Sequence, residues 1–253
     1  MSRVVLAGLV VCALAATAFA QPMYLIQQQR ELSVDIWDET GYSISDSKSA
    51  PSLDPWQAEV VVRYDPTESR TGSAGQTSGL AGGTLEAYGA ADVFMDVEWA
   101  EPELHRFAHG LDRYRIRFAI VEESQYDLTG YLYVDAYENG LNSDANLTLT
   151  LRRIADSSLY EKAVHSSYWP DSAVVATSGL LSPGVYELDV TAVMYCEGYW
   201  GDGMAEGGFG VYLDVTPEIF EPTCDLPLDS DGDGDIDMSD FAQMQQCYTG
   251  PQP

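Results

Sequence analysis

Arg113-Tyr-Arg-Ile-Arg-Phe-Ala-Ile-Val-Glu122 alternates with period two. Tyr114, Ile116, Phe118 and Ile120 fall on one face, and Arg113, Arg115 and Arg117 fall on the other. Successive side chains of an extended chain point to opposite sides, so this pattern specifies a half-buried β-strand with an arginine-lined outer face. The same period recurs downstream. Tyr126–Tyr137 places Leu128, Leu132 and Val134 together, and Asn146–Ile154 does so with Leu147, Leu149 and Leu151. Val185–Tyr195 aligns Tyr186, Leu188, Val190, Ala192 and Met194, and Phe209–Thr216 aligns Phe209, Val211, Leu213 and Val215. Ser158–Val164 and Ala173–Leu181 are weaker strands, and Asn139-Gly140 and Pro183-Gly184 are turn signals between strands.

Upstream, Glu31–Trp37 alternates through Leu32, Val34 and Ile36, Trp56–Tyr64 is apolar and β-branched, and Thr84–Trp99 aligns Val93, Met95, Val97 and Trp99. Residues 21–30, with the Gln27-Gln28-Gln29 run, read as a frayed N-terminus, and 38–55 reads as a loop. Residues 65–83 hold Gly72, Gly75, Gly79, Gly82 and Gly83 and read as a long flexible connection. Residues 100–112 carry no clear period. No helical period of useful length appears before residue 238. The whole specifies an all-β, antiparallel, jelly-roll-like sandwich over residues 31–216. Pro217 and Pro222 flank a short linker, 217–223, into a different kind of segment.

That segment contains Asp229-Ser-Asp-Gly-Asp-Gly-Asp-Ile-Asp-Met-Ser-Asp240. Calcium takes six to eight oxygen ligands, and an EF-hand-type loop supplies them from positions 1, 3, 5, 7, 9 and 12. Those positions are Asp229, Asp231, Asp233, Asp235, Asp237 and Asp240. Gly234 stands at position 6, where the backbone must turn sharply, and Ile236 at position 8 offers an apolar side chain to a core. Asp at position 12 is one methylene shorter than the usual Glu. A short helix follows, with Ser239 or Asp240 as cap and Phe241, Met244 and Cys247 at three-residue spacing. The sequence therefore predicts a small α-helical calcium unit, with Ca2+ as the one cofactor.

Residues 224–250 resemble one repeat of a type I dockerin, the calcium module by which secreted bacterial polysaccharide-degrading proteins dock on cohesins. The resemblance implies a cohesin-like partner. A dockerin carries two repeats, whereas this chain has one, and the selectivity positions 10 and 11 are Met238 and Ser239. The segment also resembles single-repeat C-terminal tails on secreted proteins of environmental bacteria, with a Cys before the loop and Cys-aromatic-Thr-Gly after the helix. Cys224 and Cys247 are those cysteines, and a disulfide between them would close the unit. So small a unit cannot bury enough apolar surface alone, and metal plus disulfide would replace the missing repeat. Residues 113–216 resemble the sandwich bodies of secreted bacterial proteins with PEP-CTERM sorting tails. The likeness is carried by Leu128-Thr-Gly130, Leu181-Ser-Pro-Gly-Val-Tyr186 and Gly208-Phe-Gly-Val-Tyr-Leu-Asp-Val-Thr216, and it implies no activity.

Residues 1–20 read as a signal peptide: Arg3, an apolar run Val4–Ala16, and the Ala18-Phe19-Ala20 site, with cleavage before Gln21. Cys12 raises a lipoprotein alternative, but Val11 precedes it where a small residue is normal. The expected location is outside a bacterial cell. No other apolar run approaches a membrane span. Net charge is −28, from 12 basic and 40 acidic residues, which repels nucleic acid and anionic lipid. Cys196 is the odd cysteine, expected to be buried at a strand end.

Signatures of nucleophilic or phosphate chemistry are missing: there is no Gly-x-Ser-x-Gly and no phosphate loop. His105 and His109 are four apart, but no Glu follows His105 and the segment is not helical, so they read as loop histidines and not as zinc ligands. Forty acidic residues bring carboxylates together by chance, so spacing alone identifies no glycosidase pair. Tyr168-Trp169 and Tyr199-Trp200 carry more information. With strands alternately up and down from Arg113, the loops at 138–145, 165–172 and 196–208 share one end. That end holds Asn139, Asn142, Asp144, Asp171 and Asp202 beside the aromatics. Aromatic faces among amides and carboxylates suit a sugar ring; alternatively the tryptophans fold back as a plug. The sequence supports a secreted, non-enzymatic binding or attachment protein with a calcium-stabilised tail, for which a glycan is one candidate ligand. The alternatives are a polysaccharide-active hydrolase or lyase anchored by the tail, and a structural matrix protein.

Overall fold

The computed structural model describes residues 23–64, 69–81, 83–97, 104–154 and 158–217. Among them are twelve strands. They are β1 (Met23–Asp38), β2 (Ser43–Ser49), β3 (Trp56–Tyr64), β4 (Ser69–Ala81), β5 (Thr84–Val97), β6 (Arg106–Ile120), β7 (Ser124–Asn139), β8 (Asn142–Arg153), β9 (Ser158–Ser166), β10 (Asp171–Leu181), β11 (Gly184–Gly198) and β12 (Gly201–Pro217). They form two antiparallel six-stranded sheets, ordered β2-β1-β6-β11-β8-β9 (sheet A) and β10-β7-β12-β5-β4-β3 (sheet B). From β5 onward the chain repeatedly crosses between the sheets, so most neighbours within a sheet are distant in sequence.

Alternation decides what lies between the sheets. Every second residue of β6 is buried, including Tyr114, Ile116, Phe118 and Ile120. Leu128, Leu132 and Val134 of β7, Leu147, Leu149 and Leu151 of β8, and Leu188, Val190 and Met194 of β11 join them in one continuous core. Phe209, Val211, Leu213 and Val215 enter it from β12. The core also holds polar groups. Arg30 is fully buried and donates to Ser78 Oγ at 2.9 Å and to the carbonyls of Ser52 and Asp54. Asp112 accepts from Gln76 Nε2 at 2.6 Å, and burial pushes its carboxyl well above the ordinary carboxylate range.

The first half of the chain is more regular than the sequence predicts. Residues 23–30 are not frayed: they begin β1 and pair with β6 from Met23 opposite Ile120, with one irregularity between Leu25 and Gln27. Gln27 and Gln29 belong to a polar outer face, and Gln28 to the opposite face, beside the buried Arg30. Gln27 and Gln29 accept from Arg117 and Arg115 of β6, at 3.1 and 3.4 Å, and Gln28 donates to the Ala50 carbonyl at 2.7 Å. The stretch read as a loop, 38–55, contains β2, a serine-rich edge strand whose exposed side chains hide the period. The stretch read as flexible, 65–83, contains β4, thirteen residues long and paired on both sides. Its Gly72 reflects close packing: a Cβ there would stand 2.5 Å from Val34 Cγ1 of the facing sheet. Part of the unclear 100–112 stretch is β6, which begins at Arg106. The broad loop expected at 196–208 shrinks to the turn Tyr199-Trp200, since β11 ends at Gly198 and β12 starts at Gly201.

Residues 1–20, expected from sequence to be a signal peptide, lie outside the described residues, as do Trp99 and the tail 218–253. So do Asp229, Asp231, Asp233, Asp235, Asp237, Asp240, Cys224 and Cys247. Cys196 is buried near the end of β11, 3.3 Å from Ser143 Oγ, and burial pushes its thiol up to about 11.

Candidate functional site: a trough across sheet B

The loop aromatics singled out from sequence do share one end of the sandwich, but they do not converge. Asn139 Nδ2 donates to Asp202 Oδ1 at 2.6 Å, which joins the β7–β8 and β11–β12 turns. Trp200 lies on the first of these turns, where a Cβ on Gly140 would meet its ring at 2.8 Å. Tyr199 turns the other way and stacks on His105 at 4.5 Å, and His105 meets Phe107 edge-on at 4.4 Å. Phe107 in turn stacks on Trp37 at 5.1 Å. Those faces are used within the protein. Tyr168 and Trp169 sit apart, in edge-to-face contact at 5.1 Å, with Trp169 75% exposed. Their loop springs from Ser166 opposite Ala145 and Asp171 opposite Val134. That level is four to six residues, about 13–20 Å, below the other two turns. His109 faces Asp35 at 3.9 Å, and among the described residues no group of three metal-ligating side chains assembles.

A different constellation does assemble, on the outer face of sheet B. Strand register places residues of four or more strands in rows running across the sheet. One row reads Thr77, Tyr88, Gly210, Tyr131 and Val174. Two residues along each strand comes Glu59, Gly75, Ala90, Gly208, Tyr133 and Ser172. The third row is Ser73, Asp92, Glu206 and Asp135. Adjacent rows stand roughly 7 Å apart, so the aromatic and acidic rows are separated by about 13 Å. Between them Gly75, Ala90 and Gly208 carry little or no side chain. The result is a groove of about 820 Å³ lined by Tyr88, Tyr131, Gly75, Ala90, Ser73 and Glu59, with Gln57 and Lys48 at one end; the carboxylates of the third row adjoin this lining without being part of it.

The aromatic wall depends on Gly210. Tyr131 and Tyr88 flank it from the neighbouring strands, and a Cβ at this position would collide with Tyr131 Cε1 and stand 3.0 Å from Tyr88 Cδ1. Both rings are about half exposed, at 51% and 48%. A hydrogen bond to Glu86 and its negative charge hold the Tyr88 hydroxyl above the usual phenol range. Tyr133 reaches from the floor row toward the acidic wall, its hydroxyl 3.3 Å from Asp135 Oδ2 and 3.4 Å from Glu206 Oε1. Desolvation, with those two carboxylates, raises its pKa. Ser73 Oγ donates to Asp92. Lys48 closes part of the far end, its Nζ 2.6 Å from the Glu59 carbonyl.

The sequence marks none of these residues as a binding residue. The local signal was Gly208-Phe209-Gly210, where glycine takes each outward position and Phe209 the inward one. Only register shows that Gly75 and Ala90 continue that bare strip.

No protein-family profile and no curated protein matches the sequence. Among solved structures, the chain is similar to the TmCBM61 module in complex with beta-1,4-galactotriose, at 12% identity and TM-score 0.23 over 64% of this chain and 83% of that one. A carbohydrate-binding module from the beta-sandwich superfamily matches at 12% identity and TM-score 0.17, over 73% and 84% of the two chains. An infectious bursal disease virus structure matches at 9% identity and TM-score 0.20, over 78% and 66%. Scores this low assign neither a family nor a ligand.

Proposed function

We propose that this protein binds a carbohydrate chain in the trough across sheet B, without converting it chemically. The observation that carries the reading is the bare strip Gly75–Ala90–Gly208 between a wall of tyrosine rings and a wall of hydrogen-bond acceptors. A pyranose offers an apolar face of C–H groups and a rim of hydroxyls. Tyr88 and Tyr131 suit the face, and Asp92, Glu206 and Tyr133 suit the rim. The strip crosses three strands, about 10 Å between the outer two, which is the scale of a short run of sugar rings.

The arrangement favours a binder over a hydrolase. A glycosidase sets its two carboxyl groups on either side of the bond it breaks. Here Asp92, Glu206 and Asp135 stand side by side along one wall, opposite Tyr88 and Tyr131. Affinity electrophoresis of the protein through gels of soluble polysaccharides tests the reading. Tyr88→Ala with Tyr131→Ala should abolish retardation by any polymer that slows the wild type, and unchanged retardation with an intact fold rejects the trough.

Export and a calcium-bound tail fit the same role, because a binding module outside the cell needs an attachment. The tail reading rests on sequence alone: the donor set at Asp229, Asp231, Asp233, Asp235, Asp237 and Asp240 is all oxygen, as a hard cation requires. Calorimetric titration with calcium chloride tests it, and an absence of binding at millimolar calcium removes it.

A further inference from the structure

The chemistry of the trough's walls narrows the class of glycan, given that the trough is the glycan site. Its acidic row, Asp92, Glu206 and Asp135, is continuous across three adjacent strands. Its hydrogen-bond donors are neutral: Ser73 to Asp92, and Tyr133 to Asp135 and Glu206. Among the described residues no lysine or arginine makes an ion pair with any of the three. Glu59 adds a fourth carboxylate at the end of the floor row, and Glu86 stands behind Tyr88. The cation lining the groove, Lys48, is turned to a backbone carbonyl of β3. The row thus sets carboxylate charge, met only by neutral donors, two residues along each strand from the floor strip and on the same face of the sheet. Hydroxyl and ammonium groups can donate to such a wall. A carboxylate or sulfate on the ligand would place like charges a few ångströms apart in a partly desolvated groove.

We infer that the trough takes neutral or amino-bearing glycans and excludes uronate and sulfated ones, and that Asp92 and Glu206 are the residues imposing the exclusion. Asp92 and Glu206 face the strip directly from β5 and β12, the two strands that also carry Ala90 and Gly208. The aromatic wall is indifferent to charge, so selectivity resides on the acidic side. The protein's overall charge of −28 also repels polyanions. Local exclusion differs from that background because it disappears when two particular carboxylates are neutralised and not when two others are.

The test is affinity electrophoresis of the full chain through laminarin, hydroxyethylcellulose, galactan, chitosan and polygalacturonate. Four proteins are compared: wild type, Asp92→Asn with Glu206→Gln, Tyr88→Ala with Tyr131→Ala, and a charge-matched control, Asp46→Asn with Glu161→Gln. Asp46 and Glu161 are exposed on the edge strands of sheet A. The expected result is retardation of the wild type by a neutral polymer or chitosan and none by polygalacturonate. The Asp92/Glu206 variant should gain affinity for polygalacturonate by about tenfold or more, or lose chitosan by a similar factor, while the control does neither. Wild-type retardation by polygalacturonate equal to that by the neutral polymers overturns the selectivity and leaves the trough standing. An equal gain in the control variant assigns the exclusion to overall charge and also overturns it. Retardation by none of the polymers, or retardation that survives loss of both tyrosines, overturns the trough itself.

Discussion

Replacing Gly210 by alanine puts a methyl group within collision distance of Tyr131 Cε1 and 3.0 Å from Tyr88 Cδ1. Both contacts are with side-chain atoms, and both rings are exposed. The rings can therefore turn away into solvent while the backbone of β12 stays in register. A forced departure from a rotamer well costs about 0.5–1.5 kcal/mol. Alanine offsets part of this, because glycine in a strand costs roughly 0.5–1 kcal/mol in backbone entropy. The stability of the Gly210→Ala protein should thus remain within about 1 kcal/mol of wild type. Binding should not survive as well. Both aromatic faces lose their place above the strip, and the loss of two such contacts weakens a complex by roughly 30-fold or more. Gly130→Ala supplies the contrast. A Cβ there collides with the Gly210 carbonyl oxygen and stands 3.2 Å from Val211 Cα, and backbone atoms cannot turn aside. That variant should lose about 1–3 kcal/mol through distortion of the β7–β12 pairing. Urea denaturation followed by tyrosine and tryptophan fluorescence measures the stabilities, and affinity electrophoresis measures the binding. The reasoning is refuted if Gly210→Ala binds as wild type does, or if it unfolds as readily as Gly130→Ala.

Other expectations follow from single groups. Burial raises the pKa of Asp112 well above the ordinary value near 4, so its contribution to stability is full below that value and declines as pH rises toward the raised pKa. Asp112→Asn should therefore gain on wild type between pH 4 and pH 8 in urea titrations; equal pH slopes for the two proteins contradict this. Glu187 behaves oppositely: hydrogen bonds from Arg117 and Arg152 outweigh its desolvation and lower its pKa, so its contribution is present above the ordinary carboxylate range and fades as pH falls through the lowered value. Glu187→Gln should lose about 1–3 kcal/mol at pH 7 and much less near pH 3, the solvent exposure of its arginine partners keeping the effect below that of a fully buried pair. If the tail binds calcium as proposed, Asp233→Ala should weaken that binding strongly in titration calorimetry and leave the β signal in circular dichroism unchanged. Trp169→Ala with Trp200→Ala should leave polysaccharide retardation within about twofold of wild type, because neither ring lines the trough.

The second half of the fold was legible because its strands are half-buried in the simplest way. Each apolar position named between Tyr114 and Val215 on β6, β7, β8, β11 and β12 is a core residue. The first half was not, for two physical reasons. β2 is an exposed edge, where one face is all serine and the other carries Asp46 and Lys48 beside Ile44, so no apolar face stands out. β4 lies under neighbours that approach so closely that glycine replaces the usual inward side chain, as at Gly72 against Val34, and glycine-rich sequence looks like a linker. The trough inherits that second difficulty. Its floor residues come from β4, β5 and β12, more than a hundred positions apart at the extremes, and only the β4–β5 and β5–β12 registers bring Gly75, Ala90 and Gly208 into line. The loop tryptophans were legible as aromatics at one end. Their neighbours, Gly140 for Trp200 and His105 for Tyr199, were set by packing that no local pattern encodes.

The distribution of cations explains why sheet B, and not sheet A, is left open to a ligand. The chain has only 12 lysines and arginines. Arg30, Arg70 and Arg106 are buried. Arg113, Arg115, Arg117 and Arg152 line the outer face of sheet A, where Glu31, Asp189 and the fully buried Glu187 meet them. Gln27 and Gln29 complete that layer by accepting from Arg117 and Arg115. The outer face of sheet A is thus largely occupied by its own ion-pair lattice, and a ligand there would have to displace charge-assisted hydrogen bonds. Sheet B has no comparable lattice among the described residues. Its outer carboxylates Asp92, Glu206 and Asp135 accept from the hydroxyls of Ser73 and Tyr133, neutral groups that ask for no charge in return. A face whose carboxylates are met only by the neutral hydroxyls of Ser73 and Tyr133, beside two tyrosine rings held over a glycine, is the part of this sandwich where an incoming hydroxyl gains the most and displaces the least.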